Sequence, residues 1–399
     1  MSAEVMHLGA KRGAAQSPAY TVRLVGTAAE LADMEREWNA LLALSPADTY
    51  FLRWEWLWCW WKTYAEEGDA LAVLVVERGG ETVAIAPFYT RTRLLGGVYP
   101  VRRLMFLGTQ QESDGDVCSD YMDIICGPGQ GHEALRHIFR VIAAGGLCDE
   151  IHLARIDTAS ETYALLPKIA AANGFPCVCT NTATSPYIEL PAQWEEYLDG
   201  LSSSMRYKLR SERRRVEKLS PVKIAKAENS AELRDFFGQM VSLHQRRWES
   251  KEMAGAFSHA RFVSFHRMMM ETMMTKGHLD LFTLHAEGGL RAVLYNIAYK
   301  RKIYFYQSGV DTGCSRVAFG YVLHSHCIGD AITRGIAEYD FLPKGKADTY
   351  KDRFANRIRT IADLYMARHW AARYFLKAQE MARTVYNRVR AENEREYGV

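Results

Sequence analysis

No run of apolar residues reaches the roughly 18 needed to span a bilayer. The opening "MSAEVMHLGAKRGAAQSPAY" lacks the continuous apolar stretch of a signal peptide. Residues 1–19 therefore read as a short disordered tail on a cytoplasmic protein, peripheral to a membrane at most. The eight cysteines (Cys59, Cys118, Cys126, Cys148, Cys177, Cys179, Cys314 and Cys327) are scattered, and only Cys177 and Cys179 lie close together. No C-x-x-C and no zinc-like Cys/His spacing occurs, so free buried thiols are expected rather than a disulfide framework, and no metal is required. Also missing are G-x-x-x-x-G-K-[ST], G-x-G-x-x-G and G-x-S-x-G, which excludes the usual P-loop, dinucleotide-binding and serine-hydrolase signatures. A net charge of only +3 over 399 residues demands no nucleic-acid partner by itself.

What is present is a chain 48% apolar and 24% charged, long enough for two or three domains. Its order of elements repeats. "LAVLVVERGG" and "ETVAIAPFYTRTRL" read as two strands around a Gly79-Gly80 turn, followed by a strand "YMDIIC", a helix "HEALRHIFRVIAAGG" and a strand "DEIHLARI". In the second half "LDLFTLHAEGG" and "LRAVLYNIAYKRKIYFYQSGV" flank another Gly-Gly turn, before a helical run ending at Gly335 and a strand "EYDFLP". Two similar α/β domains in tandem follow from this repetition, with mixed sheets flanked by helices.

Helices precede each hairpin. One carries Trp54, Trp56, Trp58, Trp60 and Trp61, which could stack on a sugar or base; packing between domains is the simpler reading. The run of methionines at 268–274 reads as core packing. Between the halves, 193–220 forms a linking helix with Leu198, Leu201, Met205, Leu209, Val216 and Leu219 on one stripe. Its other faces hold Arg206, Lys208, Arg210, Arg213, Arg214, Arg215 and Lys218. That basic segment, 206–218, is a solvated face, a phosphate-binding face or an RNA contact. The terminal run 368–399 has an amphipathic helical pattern, docked on the domain or lying at a membrane surface.

The chemistry concentrates in "YFYQSGVDTGCSRVAFGYVLHSH" (304–326) and "YDFLPKGKADTYKDRF" (339–354). In the first, a strand ends at Ser308-Gly309, a polar loop follows, and a helix opens at Phe319-Gly320. Such a helix start presents unpaired N–H groups and a positive dipole end, suited to a pyrophosphate. The pair His324 and His326 sits two apart on a helix and points apart, which argues against a metal role.

Strand, Arg-x-x-x-Gly, helix, strand resembles the acyl-CoA-binding core of the GNAT acyltransferases. The blocks "FLRWEWLWCWWKTY", "RYKLRSERRRVEKL", "LHQRRW", "YQSGVD" and "YDFLPKGKADTYKDRF" together resemble the CelD/BcsL-like acetyltransferases over roughly residues 20–365, with Phe319-Gly320 where that family usually has Pro-Gly. The tandem arrangement is similar, more loosely, to the Fem peptidyltransferases. The resemblance implies two GNAT-like domains, 20–192 (degenerate) and 193–367, the second holding the acyl-CoA site. It implies direct transfer of an acyl group, acetyl above all, from acyl-CoA to an amine or hydroxyl of a sugar, polysaccharide precursor or small molecule. Arg316, Phe319, Gly320, Tyr321 and Ser308 would then hold the cofactor. Asp340, His244, Tyr350, Lys351 and Asp311 become candidates for proton transfer and positioning. Each has a structural alternative: an ion pair with Lys344 or Lys351 for Asp340, a surface position for Lys351, a turn for Asp311, and packing alone for His244 and Tyr350. Two other functions stay open: transfer from aminoacyl-tRNA or a carrier protein, and a non-catalytic pair serving polysaccharide synthesis.

Overall fold

The structure, a computed structural model, describes residues 19–95, 97–110, 115, 117–219, 221–313, 317–345 and 349–368. Apart from Ala19 and Arg368, the expected tail and the C-terminal helix 368–399 lie outside these residues.

The N-terminal half runs β1 (Tyr20–Val25), α1 (Ala28–Ala32), α2 (Glu35–Leu44), α3 (Trp54–Tyr64), β2 (Ala70–Leu71), β3 (Val73–Arg78), β4 (Glu81–Ala86), β5 (Phe88–Leu95), β6 (Tyr99–Phe106), β7 (Ile125–Cys126), α4 (Gly131–Gly145), β8 (Glu150–Asp157), α5 (Glu161–Ala172) and β9 (Cys177–Glu189). The C-terminal half runs α6 (Trp194–Gly200), α7 (Ser203–Glu217), β10 (Val222–Lys226), α8 (Ser230–Glu249), α9 (Ala260–Thr275), β11 (Leu279–Ala286), β12 (Gly289–Tyr299), β13 (Lys302–Val310), α10 (Phe319–Thr333), β14 (Glu338–Asp340), α11 (Tyr350–Phe354) and β15 (Arg357–Ala367).

Local chemistry sets many of these boundaries. Thr27 and Glu30 close a capping box on α1. Asn229 accepts from the Ala231 and Glu232 amides to start α8. The expected strand 81–94 breaks at Pro87, which cannot donate to a ladder. β4 stays in a four-stranded sheet, β1-β3-β4-β7, while β5 enters an eleven-stranded one. Only Ile125 and Cys126 of "YMDIIC" are extended, because Tyr121 turns at φ 58. In the same way β14 keeps only three residues of "EYDFLP". The linking segment 193–220 forms two helices, α6 and α7, rather than one.

The large sheet has the order β10-β11-β12-β13-β14-β9-β15-β8-β6-β5-β2. Each half contributes one parallel ladder of three pairs: Arg103↔Glu150 to Met105↔His152 between β6 and β8, and Lys302↔Glu338 to Tyr304↔Asp340 between β13 and β14. A helix, α4 or α10, makes the crossover in each. The last strand of each half then joins the other half: β9 pairs with β14, β15 pairs with β8, and β9 and β15 pair with one another. The boundary expected at 192/193 divides the chain but not the sheet.

One apolar layer joins both halves through α3, α8 and α9; a second lies on the opposite face under α6, α7 and α10. Trp56 is fully buried and meets Phe265 of α9 edge-on at 4.8 Å. Trp56 thus packs between halves, whereas Trp60 and Trp61 meet Tyr89 inside the N-terminal half; each buried side chain of this kind contributes about 2–3 kcal/mol by area. Met269, Met270 and Met273 are buried in the same layer. No helix among the described residues is long and apolar enough to cross a membrane.

Candidate active site

The parallel contact between β13 and β14 ends at Tyr304↔Asp340. Beyond it β13 runs on to Val310 while the other strand turns away, opening a wedge between them. On its other side β13 pairs Phe305 with Asn296 and Gln307 with Tyr295, so Tyr306 is a bulge residue. Helix α8 holds this strand at close range: a Cβ at Gly309 would lie 2.6 Å from the Met240 carbonyl oxygen.

Asp340 is fully buried at the mouth of the wedge. Tyr121 donates to Oδ2 at 2.7 Å and Arg359 Nη1 to Oδ2 at 2.8 Å. Ser185 donates to Oδ1 at 3.0 Å and the Leu342 amide to Oδ1 at 2.7 Å. A carboxylate has about four acceptor positions, and these four bonds fill them. Burial raises the Asp340 pKa, and the Arg359 charge opposes that rise. The counter-charge is therefore Arg359, not Lys344 or Lys351. Lys344 pairs with Asp352, and Lys351 Nζ donates to the Phe341 carbonyl at 2.9 Å. Arg359 also reaches Glu338 and Asp157 and lies over the rings of Tyr121 and Tyr187.

Asp120 sits beside this network, 1% exposed, and accepts from Arg155 Nη1 at 3.1 Å. Burial pushes its pKa up to about 6, against the pull of Arg155, with Asp340 adding to the rise and Lys351 opposing it. Tyr121, Arg155 and Leu342 all adopt left-handed backbone, at φ 58, 65 and 57. Such conformations cost about 1–3 kcal/mol each and collect at functional sites. Three strained residues converging on two buried carboxylates are a stronger pointer than any single side chain.

The other expected residues fall as follows. His244 is buried; its Nε2 accepts from Trp248 Nε1 at 2.9 Å and its Nδ1 faces Gln245 Oε1 at 3.2 Å. Both nitrogens are thus used on its own helix. Asp311 accepts from Arg291 at 2.8 Å and from the Gly313 amide at 3.0 Å, a turn held by an ion pair. Burial opposes its ionisation, but the Arg291 bond, the Gly313 amide and the nearby arginine charges together outweigh burial and lower the pKa. Tyr350 packs near His324, ring centroids 6.0 Å apart. Ser308 lies on β13 past the bulge, and Phe319 and Gly320 open α10, with Gly320 against Val310. Tyr321 packs against Phe354, ring centroids 5.2 Å apart, and carries Lys208 4.6 Å above its ring. Arg316 and Cys314 lie outside the described residues. The start of α10 already holds a carboxylate: buried Glu212 of α7 accepts from the Ala318 amide at 2.8 Å.

The basic helix is partly committed. Arg206 donates to three carbonyls at the end of α6, Arg213 pairs with Glu217, and Arg215 pairs with Glu212. Arg210 lines a groove of about 830 Å³ between α7 and α10, together with Leu209, Val216 and Val322. Among the described residues no group of three or more His, Cys, Asp or Glu side chains could hold a metal ion.

Sequence reasoning missed Arg359, Tyr121, Ser185 and Asp120. The alternation in "NRIRTIADLY" marks Arg359 as strand-borne, but nothing local assigns that strand to Asp340.

Comparison with known proteins agrees with this architecture. An acetyltransferase (GNAT) domain family matches residues 203–352. Among solved structures, FemX superimposes with a TM-score of 0.57 at 13% identity, covering 83% of this chain and 95% of its own. A conserved protein of unknown function from Bacteroides thetaiotaomicron gives 0.52 at 12% identity, over 86% and 99%. The C-terminal domain of a putative lysylphosphatidylglycerol synthetase from Agrobacterium fabrum gives 0.50 at 10% identity, over 88% and 96%. No curated protein matches. The structure is two GNAT-like α/β halves in tandem, and residues 203–352 of it match the acetyltransferase (GNAT) domain family.

Proposed function

We propose that the C-terminal half transfers an acyl group from acyl-CoA, acetyl-CoA above all, to an amine or hydroxyl in the wedge between β13 and β14. The observation that carries this reading is the three-pair parallel ladder that opens beside a bulge. Past Tyr304, no described strand pairs with this side of β13, and an extended pantetheine arm can add backbone hydrogen bonds there. Lys351, 8% exposed, lies close to the wedge; its ammonium can stabilise the developing oxyanion or the leaving thiolate. Asp120, with a pKa of about 6, suits a general base near neutrality. Asp340 has no acceptor position left for a substrate proton, so its role is to hold the Tyr121 and Leu342 turns in place. In the reaction the acceptor lone pair attacks the acyl carbon, the C–S bond breaks, and the acceptor proton passes through Asp120 to the thiolate. The CelD/BcsL resemblance points to a sugar or polysaccharide precursor as the acceptor.

A second reading draws on Glu212. A carboxylate already occupies the amide where a pyrophosphate would bind, which favours a donor held elsewhere, such as aminoacyl-tRNA on the exposed basic face of α7. A thiol-release assay across short and long acyl-CoAs, with amine and sugar acceptors, separates the two. Release that depends on the acceptor supports the first reading. Silence with every donor, together with salt-sensitive tRNA binding lost on neutralising Arg213–Arg215, supports the second.

A further inference from the structure

Buried histidines in this protein usually keep partners. His244 uses both ring nitrogens, and His324 Nδ1 lies 3.3 Å from the Tyr339 hydroxyl. His266 of α9 is different. It is 1% exposed, and neither ring nitrogen has a hydrogen-bond partner among the described residues. Its ring lies 4.8 Å from that of Tyr306, the bulge residue, whose hydroxyl is also enclosed and has no partner among the described residues. Phe262, Phe265, Trp56 and Tyr295 surround the imidazole at centroid distances of 4.3, 5.0, 6.2 and 5.7 Å. Leaving a buried polar group unpaired costs about 1–3 kcal/mol. Here two such groups lie side by side at the bulge, where one hydrogen-bonding group from outside the chain can satisfy both.

We propose that His266 and Tyr306 form the seat for the acceptor's reacting amine or hydroxyl, taken up as an uncharged hydrogen-bonding group. The proposal rests on the acyl-transfer reading above. A neutral imidazole offers one N–H and one lone pair, and the phenol offers one O–H and an acceptor. Together they match a neutral nucleophile that both donates and accepts. The surroundings fit an uncharged group: the walls are aromatic, and burial pushes the His266 pKa down to about 3, keeping the ring neutral. Asp120 is close enough for its charge to act on Tyr306. The acceptor's proton can leave toward Asp120 while its lone pair points to the acyl carbon in the wedge. His266 and Tyr306 gain and lose no proton in the step.

The test is a pair of variants, His266→Phe and Tyr306→Phe, in the full chain. Each removes an unsatisfied polar group and keeps the ring. Melting temperatures should equal or exceed that of the parent, whereas acceptor KM rises at least tenfold and donor KM stays within twofold. Clear destabilisation of both variants, or unchanged acceptor kinetics, would overturn the proposal. If the parent releases no thiol with any donor, the acyl-CoA reading fails separately. The seat is then judged by ring ¹⁵N signals of His266 titrated with ethanol, an uncharged molecule that both donates and accepts a hydrogen bond. A shift in the parent that is lost in Tyr306→Phe supports the seat, and no shift in the parent overturns it.

Discussion

The two parallel ladders invite a position-by-position comparison. Both open on a cation facing a carboxylate, Arg103 with Glu150 and Lys302 with Glu338. Both carboxylates also receive a side chain from β15, Tyr365 in the first case and Arg359 in the second. The third pair differs: Met105 faces His152, whereas Tyr304 faces Asp340. In the N-terminal half Glu150 is clamped by Arg93 and Arg103, each at 2.6 Å, and burial together with Arg103 pushes His152 toward its neutral form. The C-terminal half spends its arginine on Asp340 and lets the chain turn away in strained backbone. The same topology is thus closed by charge in one half and held open by charge in the other.

The largest test of this contrast is Arg359→Ala. It strands the buried Asp340 carboxylate and should cost about 3–5 kcal/mol in urea unfolding. Arg103→Ala should cost less, because Arg93 stays on Glu150; equal losses would remove the distinction between the ladders. Lys351→Met should lower acyl transfer about 100-fold while melting within a few degrees of the parent. A matching collapse of stability would assign Lys351 to structure instead.

Asp120→Asn sharpens the comparison through pH. A carboxyl raised to about 6 binds its proton more tightly folded than unfolded, so its contribution to stability is present below about pH 4 and is lost as pH rises through 6. The variant should therefore exceed the parent by up to about 3 kcal/mol at pH 8 and lose that advantage near pH 4. The acid limb of the rate profile near pH 6 should vanish with it. Glu55 in the N-terminal half has the opposite sign. Burial raises it, but bonds from Arg53 and Lys276 outweigh burial and leave it at about 2. Its contribution is therefore present above about pH 4 and fades as pH falls toward 2. The smallest effect is expected from Glu212→Gln: freeing the start of α10 of a negative charge should tighten CoA binding about threefold by calorimetry, within the usual range for a charge at a helix end.

The sequence revealed what local chemistry controls. Gly-Gly turns, the tryptophan helix and the apolar stripe of α7 are all written in short stretches. Asp340 stood out because it sits between Tyr339 and Phe341. Its partners did not, for physical reasons. Arg359, Ser185 and Tyr121 are brought to it by strand exchange and by a left-handed turn, and neither leaves a local trace. β9, "CVCTNTATSPYIE", is largely polar on both faces, so alternation does not announce it as a central strand. His266 looked like one more residue in a methionine-rich helix, because lacking a partner is a property of the folded state alone.

The exchanged strands have a consequence for the connection between β9 and α6. The segments on either side are held by ladders that run across it, not by the peptide that joins them. A chain cut between Glu189 and Trp194 should behave as a split protein. Either fragment alone lacks the strand that covers its parallel ladder and should stay unfolded or aggregate. Mixed together they should recombine into one complex that melts in a single step, which makes the two fragments a ready complementation pair.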